Sequence, residues 1–120
     1  MTLKEFYAAI DGSYDEAIRR LMSDKFILKY LGKFADAGDC AAALEAVRAG
    51  DWASVFSHTH NLKGVCLNLE LGCLSRSASA LCDAVRSGAP TGDIPAMAKQ
   101  LEEDYALVTA KIKELLASAG

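Results

Sequence analysis

Apolar residues recur every three or four positions along most of the chain, which is the spacing of amphipathic α-helices. Alternation with a period of two, which would indicate strands, is scarce, and the two prolines lie close together near residues 90–95. The C-terminal stretch has the clearest helical stripe, formed by Met97, Leu101, Tyr105, Val108, Ile112 and Leu115. The pattern therefore predicts an all-α fold.

Capping residues and glycines divide this pattern into segments. The candidate segments are 2–10, 14–22, 24–38, 39–49, 51–69, 71–87 and a last one that begins at 93–95. We expect them to form five or six helices, with Asp24 as the cap of the third segment and Asp51 as the cap of the fifth. Amphipathic helices with short connections favour an antiparallel four-helix bundle, here with a short additional N-terminal helix or helices. Without a repeat or a composition shift, we expect one domain over residues 1–120.

Composition and charge exclude several classes of protein. Hydrophobic residues make up 52% of the chain, which is too many for a disordered protein. The net charge of −3 and the pI of about 5.3 do not suit nucleic-acid binding. No apolar run approaches the ~20 residues of a membrane span, and the N-terminus does not resemble a secretory signal. We therefore expect a cytoplasmic protein without a nucleic-acid or membrane partner.

The four cysteines, Cys40, Cys66, Cys73 and Cys82, form no C-x-x-C pair, and the two histidines complete no zinc-finger spacing. Three of the four lie among apolar residues of the expected helices. They are interpreted as reduced thiols that pack as small hydrophobic side chains, in keeping with a reducing cytoplasm. We expect no metal site.

The motif HTHNLKG, residues 58–64, lies inside the fifth expected helix. At 100° per residue, one sector of this helix should face the core because five of its six side chains are apolar. Its members are Trp52, Val55, Thr59, Leu62, Cys66 and Leu69. His58 lies about 70° from the centre of that sector, and His60 lies about 130° away on the opposite side. His60 is therefore expected in solvent, and His58 at the core's edge as a partly buried, hydrogen-bonded histidine. Two side chains that point so differently cannot chelate one metal ion.

Lys63 and Gly64 follow His60 by three and four residues, so they are its neighbours one turn along the helix. Phe56 and Leu67 lie on the same side and would flank the imidazole with apolar surface. No carboxylate or hydroxyl of the motif completes a hydrolytic triad, whereas an imidazole nitrogen can carry a phosphoryl group covalently. Lys63 could supply the positive charge that such a group needs. Gly64 would leave room for an approaching protein. The alternative is a surface histidine and lysine with no function.

Residues 60–88, HNLKGVCLNLELGCLSRSASALCDAVRSG, resemble the histidine-containing phosphotransfer (HPt) family. Residues 24–36 and 43–60 also resemble the two helices that precede the motif in that family. The chain departs from the family by having Glu70 where glycine often follows Asn-Leu, and by the larger Val65 and Leu67. The positions that carry the resemblance are His60, Leu62, Lys63, Gly64, Asn68-Leu69, Leu74, Ala78, Leu81, Arg86 and Gly88.

The resemblance implies a monomeric phosphorelay carrier that accepts a phosphoryl group on His60 from a kinase or a receiver-domain aspartyl phosphate. The group would then pass to a receiver-domain aspartate. It also implies that Lys63 helps to hold the group and that Gly64 makes room for it. Phe56 and Leu67 are the candidate partner contacts because they lie on the His60 side of the helix.

No ATP-binding glycine motif is present, so the chain is not expected to be a kinase or another enzyme. No carboxylate cluster is evident near His60, and Mg²⁺ would come with the receiver domain rather than as a cofactor of this chain. Two alternatives stay open. One is a docking module of the same fold that has lost phosphotransfer, and the other is a detached phosphoryl-accepting domain of a chemotaxis-type histidine kinase.

Overall fold

The computed structural model describes residues 1–119, and in that range the chain forms seven helices and no strand. The all-α prediction is confirmed, whereas the expected count of five or six helices was too low. The helices are α1 (Leu3–Ala9), α2 (Tyr14–Leu21), α3 (Asp24–Ala35), α4 (Asp39–Ala49), α5 (Trp52–Leu69), α6 (Gly72–Ala84) and α7 (Ile94–Ala119).

The last four helices make the bundle. Helix α4 packs on α5, α5 on α6 and α6 on α7, and α7 packs back on α4. Only two residues separate α4 from α5 and α5 from α6, which suits antiparallel neighbours. Helices α1 to α3 are the additional N-terminal helices, and they pack against α5 and α7.

Three of the expected helix boundaries were wrong. One is the end of α3, which lies at Ala35 rather than at Gly38, and Gly38 instead precedes the first residue of α4. Helix α3 is capped by Ser23, whose hydroxyl accepts a hydrogen bond from the Phe26 N–H, so Asp24 is its first helical residue. The Asp24 carboxylate still lies in the first turn of α3, where it interacts favourably with the positive end of the helix dipole. Helix α6 ends at Ala84 rather than near residue 87, because both the N–H and the hydroxyl of Thr91 bind the Ala84 carbonyl.

The predicted apolar stripes face the core. In α7, Leu101, Val108, Ile112 and Leu115 are buried, whereas Met97 and Tyr105 are half-buried at the core's edge. This stripe provides one wall of the bundle and supports the helices that carry the candidate site.

The turn between α1 and α2 packs closely on the turn between α5 and α6. A Cβ at Gly12 would collide with the Glu70 carbonyl, and one at Gly72 would collide with the Asp11 carbonyl. The Cys73 N–H donates a hydrogen bond of 2.9 Å to the Ile10 carbonyl at the same crossing. These contacts hold the N-terminal helices against the end of α5.

The four cysteines are free thiols, as expected, and Cys40, Cys66 and Cys82 are buried while Cys73 is half-buried. Burial raises the pKa of the Cys66 thiol to about 12 and that of Cys40 to about 11, so neither forms a reactive thiolate at neutral pH.

Within residues 1–119, no helix combines the length and the apolar character that crossing a membrane requires.

Candidate functional site

Helix α5 carries the whole motif without a break. It begins after Asp51, whose carboxylate accepts a hydrogen bond from the Ser54 N–H and caps the first turn. The residues of α5 that face the core are Val55, Thr59, Leu62, Cys66 and Leu69, in agreement with the predicted sector. Trp52 belongs to the same sector but is only partly buried. Because the helix is regular and one face is fixed in the core, the directions of the remaining side chains are fixed as well.

The C-terminal end of α5 is stabilised by Arg20 of α2, a contact that the local sequence pattern did not reveal. Glu70 has a left-handed backbone, with φ of 60°, at the position where glycine would be unstrained. Arg20 of α2 donates hydrogen bonds to the carbonyls of Leu67 (2.5 Å) and Asn68 (3.1 Å) and forms an ion pair with Glu70 (2.9 Å). Its positive charge lies where the helix dipole is negative, so Arg20 caps the site helix from outside the bundle.

The imidazole of His60 is exposed and stands against one aromatic ring. The centres of the His60 and Phe56 rings are 5.7 Å apart, with 34° between their planes. In the described part of the chain, no side chain forms a hydrogen bond or an ion pair with His60. Both ring nitrogens are therefore available to a reaction partner.

Lys63 and Gly64 lie one turn from His60. Lys63 is half-buried, and no carboxylate within residues 1–119 forms an ion pair with it. It lies toward α6, where a hydrogen bond from Arg86, aided by the charges of Arg86 and Lys63, lowers the pKa of the Asp83 carboxyl. A Cβ built on Gly64 would meet no atom within 4 Å, so the surface beside His60 is open.

Phe56 and Leu67, the predicted apolar flanks of His60, differ in exposure. Leu67 is 53% exposed, so no neighbouring helix covers it. Phe56 is half-buried, with part of its ring packed against the core and part facing His60.

His58 points to another side of α5, and its imidazole already has a hydrogen-bonding partner. Its Nδ1 lies 3.1 Å from the Asp39 carboxylate at the start of α4, with both side chains about one-third exposed (36% and 34%). The prediction of a partly buried, hydrogen-bonded histidine is confirmed. In the described part of the chain, no group of three or more His, Cys, Asp or Glu side chains is arranged to hold a metal ion.

The fold and the site together define an all-α bundle protein that presents one exposed histidine from a central helix. A family model described as "Hpt domain" matches residues 34–117, which is most of the chain. The chain therefore belongs to the Hpt domain family, and the resemblance found in the sequence is confirmed. No curated protein and no solved structure matched the chain.

Membership makes this chain a histidine-containing phosphotransfer module of two-component signalling. Domains of this family carry phosphoryl groups rather than catalyse reactions, and they interact with receiver domains and kinases. The matched range begins near the end of α3, so α1, α2 and most of α3 lie outside it.

Proposed function

We propose that His60 is the phosphoryl acceptor and that this chain carries the group between a kinase or one receiver domain and a second receiver domain. The observation that carries the proposal is the exposed His60 ring without a side-chain partner in the described residues, beside the open surface at Gly64. His58 is the only other histidine, and its Nδ1 is engaged by Asp39.

In the proposed step, the unprotonated ring nitrogen of His60 attacks the phosphorus of a partner's aspartyl phosphate. A P–N bond forms as the P–O bond to the aspartate breaks, and the aspartate leaves as a carboxylate. In the return direction, a receiver aspartate attacks the phosphorus and the imidazole leaves, so the step needs neither oxidant nor further co-reactant. Mg²⁺ is assigned to the partner, bound in the receiver's acidic pocket.

Lys63 and Gly64 have separate roles in this proposal. The Lys63 ammonium is free of an acidic partner within residues 1–119, so it can swing on its flexible stem toward the oxygens of a phosphoryl group on His60. Gly64 leaves the space through which the partner's phosphoaspartate reaches the imidazole.

The acceptor can be tested by replacing each histidine with glutamine. We expect His60→Gln to abolish phosphoryl uptake from a phosphorylated receiver or kinase while the helical circular dichroism stays unchanged, because an exposed side chain is replaced. His58→Gln is the matched control on the same helix, and it should retain most of the uptake.

The chemical stability of the label provides a second measurement. A phosphorylated imidazole is a phosphoramidate, so the label should be lost in acid and kept in base, unlike an acyl phosphate or a hydroxyl ester. Strong labelling of folded His60→Gln would show that another residue accepts the group. A folded protein that takes no label from any receiver or kinase would instead favour a docking module.

A further inference from the structure

An apolar groove lies between α3 and α5, away from the proposed phosphoryl site. Its volume is about 540 Å³, and its floor is made of the buried side chains of Phe34, Cys40, Leu62 and Leu69. The rim includes the exposed side chains of Tyr30 and Val65, which are 41% and 42% exposed. Val65 lies about 140° around α5 from His60, and none of the proposed transfer or partner residues lines the groove.

The charged residues that line the groove leave one positive charge without a partner. Arg20 is paired with Glu70, and Asp39 is held by His58. Lys33 is exposed, and no carboxylate within residues 1–119 forms an ion pair with it; its Nζ lies 6.0 Å from the centre of the Tyr30 ring. Asn68, also on the rim, adds an exposed amide that can donate hydrogen bonds.

We propose that this groove binds a small amphiphilic monoanion, an alkyl or aryl carboxylate. The apolar body lies on the floor formed by Phe34 and Leu62, and the carboxylate faces Lys33 and Asn68. The groove has the volume of small-molecule sites, roughly 300–1,000 Å³, and their usual pattern of a mostly apolar lining with few polar groups. This site does not rest on the phosphotransfer function, because its residues and its ligand are separate from His60.

The first test is a titration of the full chain with octanoate at neutral pH, in which two-dimensional NMR records the amide chemical shifts at each octanoate concentration. We expect saturable binding at one site, with the largest shifts at the amides around Lys33, Val65 and Asn68. Octan-1-ol, which has the same chain length without the charge, should bind more weakly. Because no phosphoryl donor is present, failure here and failure of the transfer assay are distinguishable.

Two pairs of variants locate the site. Val65→Asp places a carboxylate on the apolar rim and should weaken octanoate binding by about tenfold or more, because the anion then meets a like charge. Leu107→Asp, at a 39% exposed leucine of α7 outside the groove, should not weaken it. Lys33→Gln should weaken octanoate binding about threefold, since an exposed ion pair contributes little. Lys25→Gln removes one exposed charge from the same helix outside the groove and should leave binding unchanged.

Four outcomes would overturn the proposal. Shifts spread evenly over the surface without saturation, or equal losses in Val65→Asp and Leu107→Asp, would mean that the groove is not the site. Equal weakening of octanoate and octan-1-ol in Lys33→Gln would mean that the ligand need not be an anion. A rise in sedimenting mass with protein concentration, accompanied by shifts at the groove amides, would mean that a second copy of the chain occupies the groove.

Discussion

Gly64 is a residue whose effects on stability and on phosphotransfer are expected to oppose each other. It lies inside α5, where glycine costs roughly 1 kcal/mol of folding free energy relative to alanine. A Cβ would meet nothing within 4 Å, so no contact within residues 1–119 requires the glycine. The need for glycine at position 64 is therefore expected to come from the approaching partner protein.

We predict that Gly64→Ala raises the free energy of unfolding by up to about 1 kcal/mol and slows phosphotransfer, because the added methyl group fills the space beside His60. Urea unfolding and transfer assays on the same preparation measure the two effects. Gly32→Ala is the matched control, since Gly32 lies within α3 and its Cβ would make only ordinary contact, at 3.8 Å, with Leu116. The Gly32→Ala variant should gain a similar free energy of unfolding and transfer the phosphoryl group at the normal rate. Unchanged transfer by the Gly64→Ala variant would refute the steric argument.

The directions of single side chains on α5 could be predicted from the sequence because a regular helix with one buried face leaves little freedom. His58 at the flank and Leu67 outside the core sector followed from the 100° rotation per residue alone. The start of the helix followed from Asp51, because aspartate suits a helix cap. The conformation of Glu70 could not be predicted, because a left-handed non-glycine residue depends on Arg20, which is 50 residues away along the chain.

At the scale of elements, the end of α5 depends on α2 through Arg20. We predict that Arg20→Met lowers the free energy of unfolding by about 1 kcal/mol, because the carbonyls of Leu67 and Asn68 lose charged donors at the negative end of the helix. Methionine keeps the apolar stem, so the change removes mainly the guanidinium. Urea unfolding followed by circular dichroism measures the loss.

The control for this change is Arg19→Met, on the same helix. Arg19 is more exposed than Arg20 and, among the described residues, pairs only with Glu16 one turn away, so its loss should cost less than about 0.5 kcal/mol. Equal effects of the two changes would mean that Arg20 does not stabilise the end of α5.

The helix boundaries show where neighbouring residues in the sequence are enough to predict the end of a helix. Thr2 and Ser13 cap α1 and α2, and each is followed three residues later by a glutamate whose N–H donates to its hydroxyl, which is a spacing that the sequence shows. Asp24 was expected as the cap of α3, but the cap is the preceding Ser23. Both residue types suit a cap, and the extended backbone that marks Ser23 as the cap cannot be read from the sequence. The early end of α6 depends on Thr91 folding back onto Ala84, a contact across a loop that no helical period encodes.

At the scale of the whole molecule, a carrier must dock with its partner and leave again. We therefore expect an interface of about 1,200 Å² or less, centred on the apolar side chains beside His60. Leu67→Ala should change the free energy of unfolding by less than about 0.5 kcal/mol and slow transfer, because Leu67 is exposed. Leu107→Ala, another exposed leucine, should change neither property.

Phe56 is expected to behave differently because its ring also packs against the core. Phe56→Ala should lower the free energy of unfolding by about 1–2 kcal/mol and slow transfer at temperatures where the variant stays folded. Thermal melts paired with transfer assays separate the two effects. If transfer by folded Leu67→Ala and Phe56→Ala stays normal, the docking surface lies elsewhere on the bundle.

The extent of the folding unit stays a prediction of one domain over residues 1–120. It is supported by contacts that join the N-terminal helices, which the family model does not cover, to the bundle. Arg20 binds the end of α5, and α1 packs on α7. The antiparallel bundle was predictable from helix lengths and short connections, whereas the place of α1 to α3 depends on contacts that the sequence pattern does not encode.

The interlocked turns at Gly12 and Gly72 also have a consequence for the order of folding. The contacts within α4 to α7 join helices that are mostly neighbours along the chain, whereas this crossing closes a loop of about 60 residues and must offset a larger entropy loss. We expect the bundle to form first and the N-terminal turn to dock after the main barrier. Gly72→Ala should therefore speed unfolding strongly and change the folding rate little, which stopped-flow kinetics in urea would measure. Transient opening at this crossing would free the end of the helix that carries His60 without unfolding the bundle beneath it.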